Sequence, residues 1–386
     1  MSVKNNLMGK NKKNILLVAN YKSDVGYAWW LMENFWATIA GSFDACGRKA
    51  VLLYPEVNVV PEKIVKAKIK VIEHDLSNRS FKSLSCLYRI INENDIGYVY
   101  LTDRPYCDWL YLILRVFGIK KIVNHDHLPG ERSHLKAIKN FIKSILHRFK
   151  FMSCDYYIGV SEFIKKRFVE VAGIPEKKCE FVHNGIRIFD NEKTDYVNRM
   201  FGIPEGATII VSTGRAVFYK GIDTLIDVAG EMARKKNREH VYFLYVGDGS
   251  DIDTFKTMVV ERGLSSRFIF AGYRRDVSRI LPSCDIGIQV SHGEAFSLSL
   301  IEYLCAGLVT LAPRHCGNGE AIDDGRNGLL FTPGDVAEIV EKIAFVLDHE
   351  EEARRLAGEA RRTAVEKFSL EACNERFIAL LRQQFI

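Results

Sequence analysis

The chain has 386 residues, of which 47% are hydrophobic and 26% are charged, and its formal net charge is +6. Its length predicts two or three domains of ordinary globular composition, and it lacks the apolar run of roughly 18 residues that a membrane-spanning helix needs. The polar, basic first residues are not followed by the apolar stretch of a secretory signal, and the nine cysteines include no Cys-x-x-Cys pair. We therefore expect a cytoplasmic protein with reduced thiols.

The first half of the chain alternates short apolar strands with amphipathic helices. Helical patterns such as YAWWLMENFWATIAGSF and FKSLSCLYRIINEN separate strands that we predict at NILLVAN, KAVLLY, KIKVIEH, IGYVYLT, KKIVNH, CDYYIGV and KCEFVH. This alternation is typical of a parallel sheet that is covered by helices on both faces. We predict such a domain over residues 1–190.

The second half repeats the pattern after a polar segment, residues 186–207, that has no strand character and contains Pro204. Its predicted strands are ATIIVSTG, VYFLYVGDG, RFIFAGY, CDIGIQVS, GLVTLAP and GLLFTP. We predict a second doubly wound domain over 191–365, which faces the first across a cleft where a small molecule binds. The closing stretch, 366–386, is an amphipathic helix, and the polar residues before it are interpreted as a linker.

Charge is divided unevenly between the two halves. Lysine and arginine exceed aspartate and glutamate by 30 to 19 up to Asp190, and beyond it they are outnumbered by 24 to 29. A basic half is compatible with nucleic acid, with anionic lipid or with a phosphorylated substrate. Within it, residues 134–151 interleave apolar positions at helical spacing with lysines and arginines. This pattern is typical either of a core helix with a solvated basic face or of a helix that contacts an anionic membrane surface.

Two strand ends in the second half carry residues that suit a phosphorylated ligand. After the strand ATIIVST, Gly214 allows a tight turn, and Arg215 and Lys220 supply two cations for a diphosphate, although a solvated basic loop has the same composition. After the next strand, Gly247 and Gly249 either allow a ligand to approach the backbone or form a plain turn between strand and helix.

The stretch HGEAFSLSLIEYLCAG holds two carboxylates among small and apolar residues. In one interpretation Ser299 and Glu302 form a capping box. In the other, the helix begins near Ser297, the free amides of its first turn bind an anion, and Glu294 and Glu302 flank that anion. Carboxylates repel phosphate but accept hydrogen bonds from hydroxyls, so the second arrangement suits a sugar nucleotide, which has hydroxyls on both sides of its diphosphate.

Two candidate metal motifs lack the surroundings of a metal site. Asp251–Asp253, with the sequence DID, opens a predicted helix, where acidic residues favour the positive end of the helix dipole. His125–His127, with the sequence HDH, has no third ligand at a suitable spacing. We therefore expect no bound metal.

Taken together, these segments resemble the retaining glycosyltransferases of family 4, which have the GT-B fold. The donor-half motifs of that family are matched by Gly214-Arg215 with Lys220-Gly221, Gly247-Asp248-Gly249, Glu294-Ala295-Phe296-Ser297 with Glu302, and Phe368-Ser369. The first-half motifs are matched more loosely by SDVGYAWW, NHDHLPG and GVSEFIKKRF with VHNGI. The resemblance implies an α/β architecture of two facing Rossmann-like domains, of which the first binds an acceptor and the second a nucleotide sugar. It also implies a C-terminal helix that crosses back to the first domain.

By position, the resemblance also implies a role for each candidate residue. Arg215 and Lys220 hold the diphosphate, Glu302 binds the ribose hydroxyls, and Glu294 binds the transferred sugar; of these, the catalytic residues are Arg215, Lys220 and Glu294. The remaining residues that bind the donor are Gly26, Gly214, Gly247, Ala295, Phe296, Ser297 and Leu298. The acceptor side is lined by His125 and Asp126.

The function that this resemblance implies is transfer of a sugar from a nucleotide sugar to a hydroxyl of a glycan or lipid-linked acceptor. The transfer retains the anomeric configuration and needs neither metal nor cofactor. The expected setting is bacterial surface-polysaccharide assembly, in the cytoplasm or at the inner membrane face, with no nucleic-acid partner. The alternatives are a sugar-nucleotide epimerase of the same fold and a catalytically impaired donor-binding scaffold. The scaffold alternative rests on Ala295 and Ser297, which add a Cβ where the family pattern has glycine.

Overall fold

The chain divides into two compact units. The structure is a computed structural model that describes residues 12–26, 29–129, 147, 149 and 151–385. The N-terminal unit comprises the described residues within Met1–Leu128, Arg132–His183 and Asn374–Ile386, and the C-terminal unit comprises those within Pro129–Glu131 and Asn184–Cys373.

The strands of the two units form two sheets. The strands of the N-terminal unit are β1 (Asn14–Val18), β2 (Ala50–Tyr54), β3 (Lys70–Glu73), β4 (Ile96–Thr102), β5 (Lys121–Asp126), β6 (Tyr156–Gly159) and β7 (Cys179–Phe181). Those of the C-terminal unit are β8 (Thr208–Thr213), β9 (Val241–Val246), β10 (Phe268–Gly272), β11 (Ile286–Ile288), β12 (Val309–Pro313) and β13 (Leu329–Phe331). These strands confirm the pattern predicted from the sequence in both halves.

Helices connect the strands. The helices in the described ranges are α1 (Trp29–Asp44), α2 (Glu62–Lys66), α3 (Phe81–Glu93), α4 (Leu110–Val116), α5 (Glu162–Lys166), α6 (Tyr196–Phe201), α7 (Ile222–Arg234), α8 (Ile252–Glu261), α9 (Val277–Ile280), α10 (Leu298–Ala306), α11 (Val336–Asp348), α12 (Glu350–Phe368) and α13 (Leu370–Phe385). A π-helical turn at Arg167–Val171 continues α5. Short 3-10 turns occupy Glu176–Lys178, Phe218–Lys220, Leu281–Ser283 and Cys316–Glu320.

Both sheets are parallel and doubly wound, as predicted. The strand order is β3-β2-β1-β4-β5-β6-β7 in the N-terminal sheet and β10-β9-β8-β11-β12-β13 in the C-terminal sheet. The order changes direction between β1 and β4 in the first sheet, and between β8 and β11 in the second. Ligands of such sheets bind outside the carboxyl ends of the strands at these switch points. Each unit therefore has one place where its fold favours a ligand site.

The last helix packs within the N-terminal unit, which confirms the prediction for the end of the chain. The ring centroid of Phe377 on α13 lies 4.6 Å from that of Phe35 on α1. The Lys121 ammonium donates a hydrogen bond of 2.6 Å to the carbonyl of Gln384. Apolar packing and a charge-assisted hydrogen bond thus fix α13 in this unit.

One expectation for the end of the chain is wrong. The polar residues before α13, interpreted as a linker, are the helix α12. It is rich in charge and buries only a narrow stripe of four side chains, of which two are alanine: Leu356, Ala360, Ala364 and Phe368. The four-residue spacing keeps this stripe on one face, but its low hydrophobicity hides the pattern.

Two further predictions concern membranes. The basic stretch 134–151 lies outside the described residues except for positions 147, 149 and 151. Within the described ranges, the helices are all too short or too polar to span a bilayer.

Candidate functional site

The loops that follow β8 and β9 pack directly against each other in the C-terminal unit. Gly214 donates a backbone hydrogen bond of 3.1 Å to Val246, and Ala216 donates one of 2.9 Å to Asp248. Gly247 has φ +153°, and a Cβ at this position would overlap the carbonyl oxygen of Gly214. Position 247 therefore requires glycine because the backbone of the neighbouring loop, the one after β8, approaches it closely.

Arg215 projects from this pair of loops. Its side chain is exposed, and within the part of the chain that the structure describes it forms no hydrogen bond or ion pair. The loop beneath it is held in place, because Asp251 accepts a hydrogen bond of 3.0 Å from the backbone amide of Phe218. A fixed loop thus presents an uncompensated cation beyond the end of β8. Asp251, the first residue of the DID motif, therefore helps to hold this loop in place.

Lys220 and Glu294 form a direct ion pair. The Lys220 ammonium donates to Oε1 of Glu294, and the two side chains are 19% and 11% exposed. Their loops are joined twice more, since the Tyr219 hydroxyl donates to the carbonyl of Gly293 and the His292 amide donates to the carbonyl of Tyr219 at 3.1 Å. The structure therefore brings together two predicted catalytic residues from loops that are distant in sequence.

Helix α10 begins immediately after these residues, and its cap decides between the two interpretations of the carboxylates. Ser297 is the N-cap, and its hydroxyl accepts a hydrogen bond of 3.3 Å from the amide of Leu300. Ser299 instead donates to the carbonyl of Thr213 at 3.2 Å. The capping box of Ser299 and Glu302 is wrong, because the helix begins two residues earlier than that motif requires. The start near Ser297 is confirmed.

The first turn of α10 is available to an anion. No described residue accepts a hydrogen bond from the backbone amides of Ser297, Leu298 or Ser299, which is the usual state of the first amides of a helix. The helix is tied to the end of β8, because the Tyr303 hydroxyl accepts a hydrogen bond of 2.6 Å from the Thr213 amide. The free amides therefore lie beside the strand that leads to Arg215.

Glu302 lies in the second turn of α10 and is partly buried. Among the described residues its carboxylate has no hydrogen-bond partner. Burial raises the pKa of Glu302 from 4.5 to about 7, because the charged form is poorly solvated there. A carboxylate in this state gains from any ligand that donates hydrogen bonds to it.

The residues between Glu294 and α10 are held by internal contacts. The carbonyl of Phe296 accepts a hydrogen bond of 3.1 Å from the Asn184 amide group, and its ring lies 5.4 Å from that of Phe368. Gly317 packs against the carbonyl of Ala295 so closely that a Cβ on the glycine would overlap it. The backbone that carries Glu294 is therefore fixed from two sides.

Ala295 and Ser297 adopt conformations that need no glycine. Ser297 has φ −76°, and Ala295 is absent from the described non-glycine residues with positive φ. The replacement of the family glycines therefore introduces no backbone strain. The Ser297 hydroxyl also accepts a hydrogen bond of 2.9 Å from the Gln289 side chain. The added side chain thus stabilises the helix start.

In the N-terminal unit, Gly26 follows β1 on an exposed loop where a Cβ would meet nothing within 4 Å. The residues directly after it, 27 and 28, lie outside the described ranges. Trp29 stacks on Tyr21, with ring centroids 3.7 Å apart. The space around Gly26 is open, so its donor-binding role stays a prediction.

The predicted acceptor-side residues lie at the end of β5 and are buried. His125 packs between Phe35 and Phe377, with centroids 4.9 Å and 5.8 Å away, and its Nδ1 lies 2.5 Å from the Tyr100 hydroxyl. Burial, together with the nearby His127, lowers the pKa of His125 well below its ordinary range. The ring is therefore neutral, and its Nε2 has no partner among the described residues.

Asp126 forms hydrogen bonds within the fold. Its carboxylate accepts hydrogen bonds from the Tyr106 hydroxyl, from Arg167 at 3.1 Å and from the amide of Leu128 at 2.9 Å. The side chains of Arg167 and Asp126 are 2% and 1% exposed. This geometry gives Asp126 a structural task, and an acceptor role for it stays a prediction.

Several residues that hold the site in place were missed from the sequence. Tyr303 and Tyr219 make these contacts through hydroxyl groups to partners far along the chain, and Gln289 makes one through its amide group to Ser297, eight residues away. The one signal for Tyr303 is its position next to Glu302 on a helix that follows a strand end. The described residues hold no group of three or more histidine, cysteine or acidic side chains placed to bind a metal ion.

Comparison with known proteins defines the class. The family model described as "Glycosyltransferase Family 4" matches residues 32–188, and the one described as "Glycosyl transferases group 1" matches residues 197–363. Two solved structures share the fold. A glycosyltransferase from Rickettsia africae has a TM-score of 0.79 at 18% identity, covering 97% of this chain and 99% of that chain. Anabaena HepE, solved with UDP and glucose, has a TM-score of 0.76 at 17% identity, covering 96% and 99%.

The chain belongs to the family 4 glycosyltransferases, and its fold is GT-B. Among curated relatives, the lipopolysaccharide core biosynthesis glycosyltransferase LpsE of Rhizobium meliloti is 29% identical over 178 residues, which are 46% of this chain and 51% of that relative. The chain spans about half the length of the curated relatives it matches.

Proposed function

We propose that this protein transfers a sugar from a nucleoside diphosphate sugar to a hydroxyl of a glycan or lipid-linked acceptor. The observation that carries the proposal is the set of groups at the switch point of the C-terminal sheet. Arg215 and the free amides of α10 are open to an anion, and Lys220 pairs with Glu294 beside them. Family membership supports the same reaction class.

Lys220 is able to bind the diphosphate of the donor while it keeps its ion pair with Glu294. An ammonium group has three N–H donors, and the ion pair with Glu294 occupies one of them. The other two are available to phosphate oxygens. Glu294 is held in place by the same contact, and its second oxygen accepts a hydrogen bond from a sugar hydroxyl. One ion pair thus links the diphosphate part of the site to the sugar part.

We propose that the reaction retains the anomeric configuration and needs no metal. In the C-terminal unit, no carboxylate other than Glu294 lies in the loop next to α10, and Glu294 is engaged with Lys220, so we assign no covalent nucleophile. The acceptor attacks on the face that the diphosphate leaves, and the departing oxygen takes the acceptor proton. Arg215, Lys220 and the α10 amides stabilise the charge that develops on the diphosphate.

The setting that we propose is assembly of bacterial surface glycans at the cytoplasmic side of the membrane. Support comes from relatives such as LpsE, a glycosyltransferase of lipopolysaccharide core biosynthesis. The basic charge of the first half suits an anionic membrane surface or acceptor.

A thermal-shift panel of UDP-, GDP-, ADP- and dTDP-sugars tests the donor. A ligand at 100 times its Kd stabilises the folded state by about 2.7 kcal/mol, so one nucleotide class is expected to raise Tm in a saturable manner. The Arg215→Ala variant is expected to shift that titration to higher concentration. Arg234→Ala is the matched control, because Arg234 is a surface arginine of the same unit whose side chain is 74% exposed.

Incubation of the stabilising donor with acceptors then defines the reaction. Transfer with retained configuration, read by NMR and unchanged by a chelator, supports the proposal. Conversion of the free donor into an epimer without acceptor contradicts it in favour of the epimerase. Tight nucleotide binding without turnover on any acceptor contradicts it in favour of the scaffold.

A further inference from the structure

The N-terminal sheet has its own switch point, between β1 and β4, and Arg104 lies two residues beyond the end of β4. Its side chain is only partly exposed, and its Nε atom is buried without a partner. Across the described residues nothing accepts a hydrogen bond from its guanidinium. A buried charged donor without a partner is unfavourable, so the internal contacts of the fold do not account for this side chain.

The backbone of Arg104 is fixed by a buried side chain. Asn124 on β5 is fully buried, accepts a hydrogen bond of 3.2 Å from the amide of Arg104 and donates one of 2.9 Å to its carbonyl. The preceding residue, Asp103, has φ +52°, which is unusual for a residue other than glycine. A strained turn and a two-way hydrogen-bonded clamp thus hold Arg104 at one place. Such strain in a folded protein is concentrated at functional sites.

A second arginine, Arg79, is close enough to disfavour the charged form of Arg104, but it is already paired. Arg79, in the loop after β3, donates a hydrogen bond of 2.8 Å to Asp108, and its guanidinium lies 5.6 Å from the centroid of the Trp109 ring. Asp75 is near Arg104, but its carboxylate accepts hydrogen bonds from the amide and hydroxyl of Ser77. Among the described residues, Asp75 and Asp108 therefore accept no hydrogen bond from Arg104, although both favour its charged form. Burial and the charge of Arg79 together lower the pKa of Arg104.

We propose that Arg104, with Arg79 beside it, binds an oxyanion of the acceptor, a phosphate or a carboxylate. The guanidinium offers a rigid fork of donors that matches the oxygens of either group. The donor diphosphate has its own cations in the C-terminal unit, so this site serves the other substrate. The proposal rests on the proposed function, because only a transferase has an acceptor, and it adds that the acceptor is acidic.

The test titrates small oxyanions against the folded protein. Thermal unfolding is followed at constant ionic strength with glycerol phosphate in one arm and acetate in the other. Saturating nucleotide of the class found above keeps phosphate out of the donor site. We expect a saturable rise in Tm in the wild type. Arg104→Gln is expected to weaken it by about 10- to 100-fold, the loss typical of a hydrogen bond to a charged group. Arg104→Lys should have an intermediate effect.

The control is Arg89→Gln, which removes the same charge from an exposed position on α3 in the same unit. It should leave the titration unchanged. Saturation by glycerol phosphate, or by acetate, that is lost in Arg104→Gln supports the proposal and identifies the oxyanion. No saturation in either arm, or equal saturation in Arg104→Gln, overturns it.

The two proposals fail separately. If nucleotide stabilises the wild type but neither oxyanion does, only the acceptor site is overturned. If no nucleotide stabilises the wild type, the proposed function is overturned, and the acceptor role of Arg104 is overturned with it.

Discussion

Charged side chains stand at the carboxyl ends of strands in both units, but they differ in how far their polar atoms are satisfied. In the N-terminal unit, Asp126 accepts hydrogen bonds from Tyr106, Arg167 and Leu128 and is almost completely buried. In the C-terminal unit, Arg215, which follows β8, has no hydrogen-bond partner among the described residues, and neither has Glu302 in the second turn of α10. Charged residues near the strand ends of the same kind of sheet therefore have two different tasks.

The comparison separates charges that hold the fold from charges that await a ligand. A buried charge whose partners all come from the fold destabilises the native state strongly when one of those partners is removed. A charge without partners in the fold is free to interact with a ligand. Lys220 and Glu294 are intermediate, since each satisfies the other and both retain free donor or acceptor positions. This difference predicts which substitutions change stability and which change activity.

The largest expected effect is on stability, from Asp126→Ala. The change removes the carboxylate that pairs with Arg167, so a charged side chain that is only 2% exposed loses an ionic partner. Removing one partner of a buried ion pair costs about 3–5 kcal/mol. Urea-induced unfolding measures the loss, and Glu93→Ala, at an exposed acidic position on α3, is expected to change stability by less than about 0.5 kcal/mol. Equal stabilities for the two variants would show that Asp126 is not needed by the fold.

The next effect is on turnover, from Lys220→Ala. Loss of one preorganised donor to developing charge lowers the rate by about 10²–10³-fold, whereas Lys236→Ala, at an exposed position in the same unit, should leave it unchanged. The fold should remain intact, with a loss of about 1–3 kcal/mol because Glu294 is left unpaired. Near-normal turnover by folded Lys220→Ala protein would refute the assignment.

A double variant separates the two roles of this lysine. Lys220→Met with Glu294→Gln removes both charges, so the stability lost in Lys220→Ala is expected to return while turnover stays low. Recovery of turnover along with stability would mean that Lys220 acts only by neutralising Glu294.

The sheets could be predicted from the sequence because burial decides them locally. A stretch such as NILLV is apolar on both faces, and this alone marks a strand of a covered parallel sheet. Helix α12 was not recognised in this way because two of its four buried positions are alanines, within a highly charged sequence. Where packing depends on small residues rather than on large apolar ones, the pattern becomes too weak to recognise.

The internal contacts of the site could not be predicted from such sequence patterns. Lys220 and Glu294 are 74 positions apart, and nothing local indicates that they touch. The sequence suggested ligands for both, yet only the tertiary structure reveals the ion pair. The sequence gives one indication for Arg104, which is that an arginine follows a buried strand. Other residues at such positions, however, form their hydrogen bonds within the fold. What distinguishes Arg104 is the absence of a hydrogen-bond partner among the described residues, which requires coordinates.

The smallest and most specific effect concerns Glu302. Its pKa is raised from 4.5 to about 7 by burial, so its ionised form disfavours folding. This penalty is absent below pH 4.5 and complete above about pH 7. Glu302→Gln is therefore expected to raise stability at pH 8 by on the order of 2 kcal/mol, allowing for partial exposure, and to have no effect near pH 4. Melting curves across this range measure the difference, and a constant difference at all pH values would contradict the raised pKa.

Ligand binding should reverse this behaviour if Glu302 accepts hydrogen bonds from ribose. Hydroxyl donors favour the ionised carboxylate and lower its pKa, so nucleotide binding should release a proton near pH 7 and weaken as the pH falls through that value. Calorimetry in buffers of different ionisation enthalpy counts the proton. Glu302→Gln should abolish the release but keep the contribution of Arg215 to nucleotide binding, since the diphosphate contact does not depend on the carboxylate. Proton release that persists in Glu302→Gln would assign the titration to another group and would leave the unpaired carboxylate of α10 without its ligand.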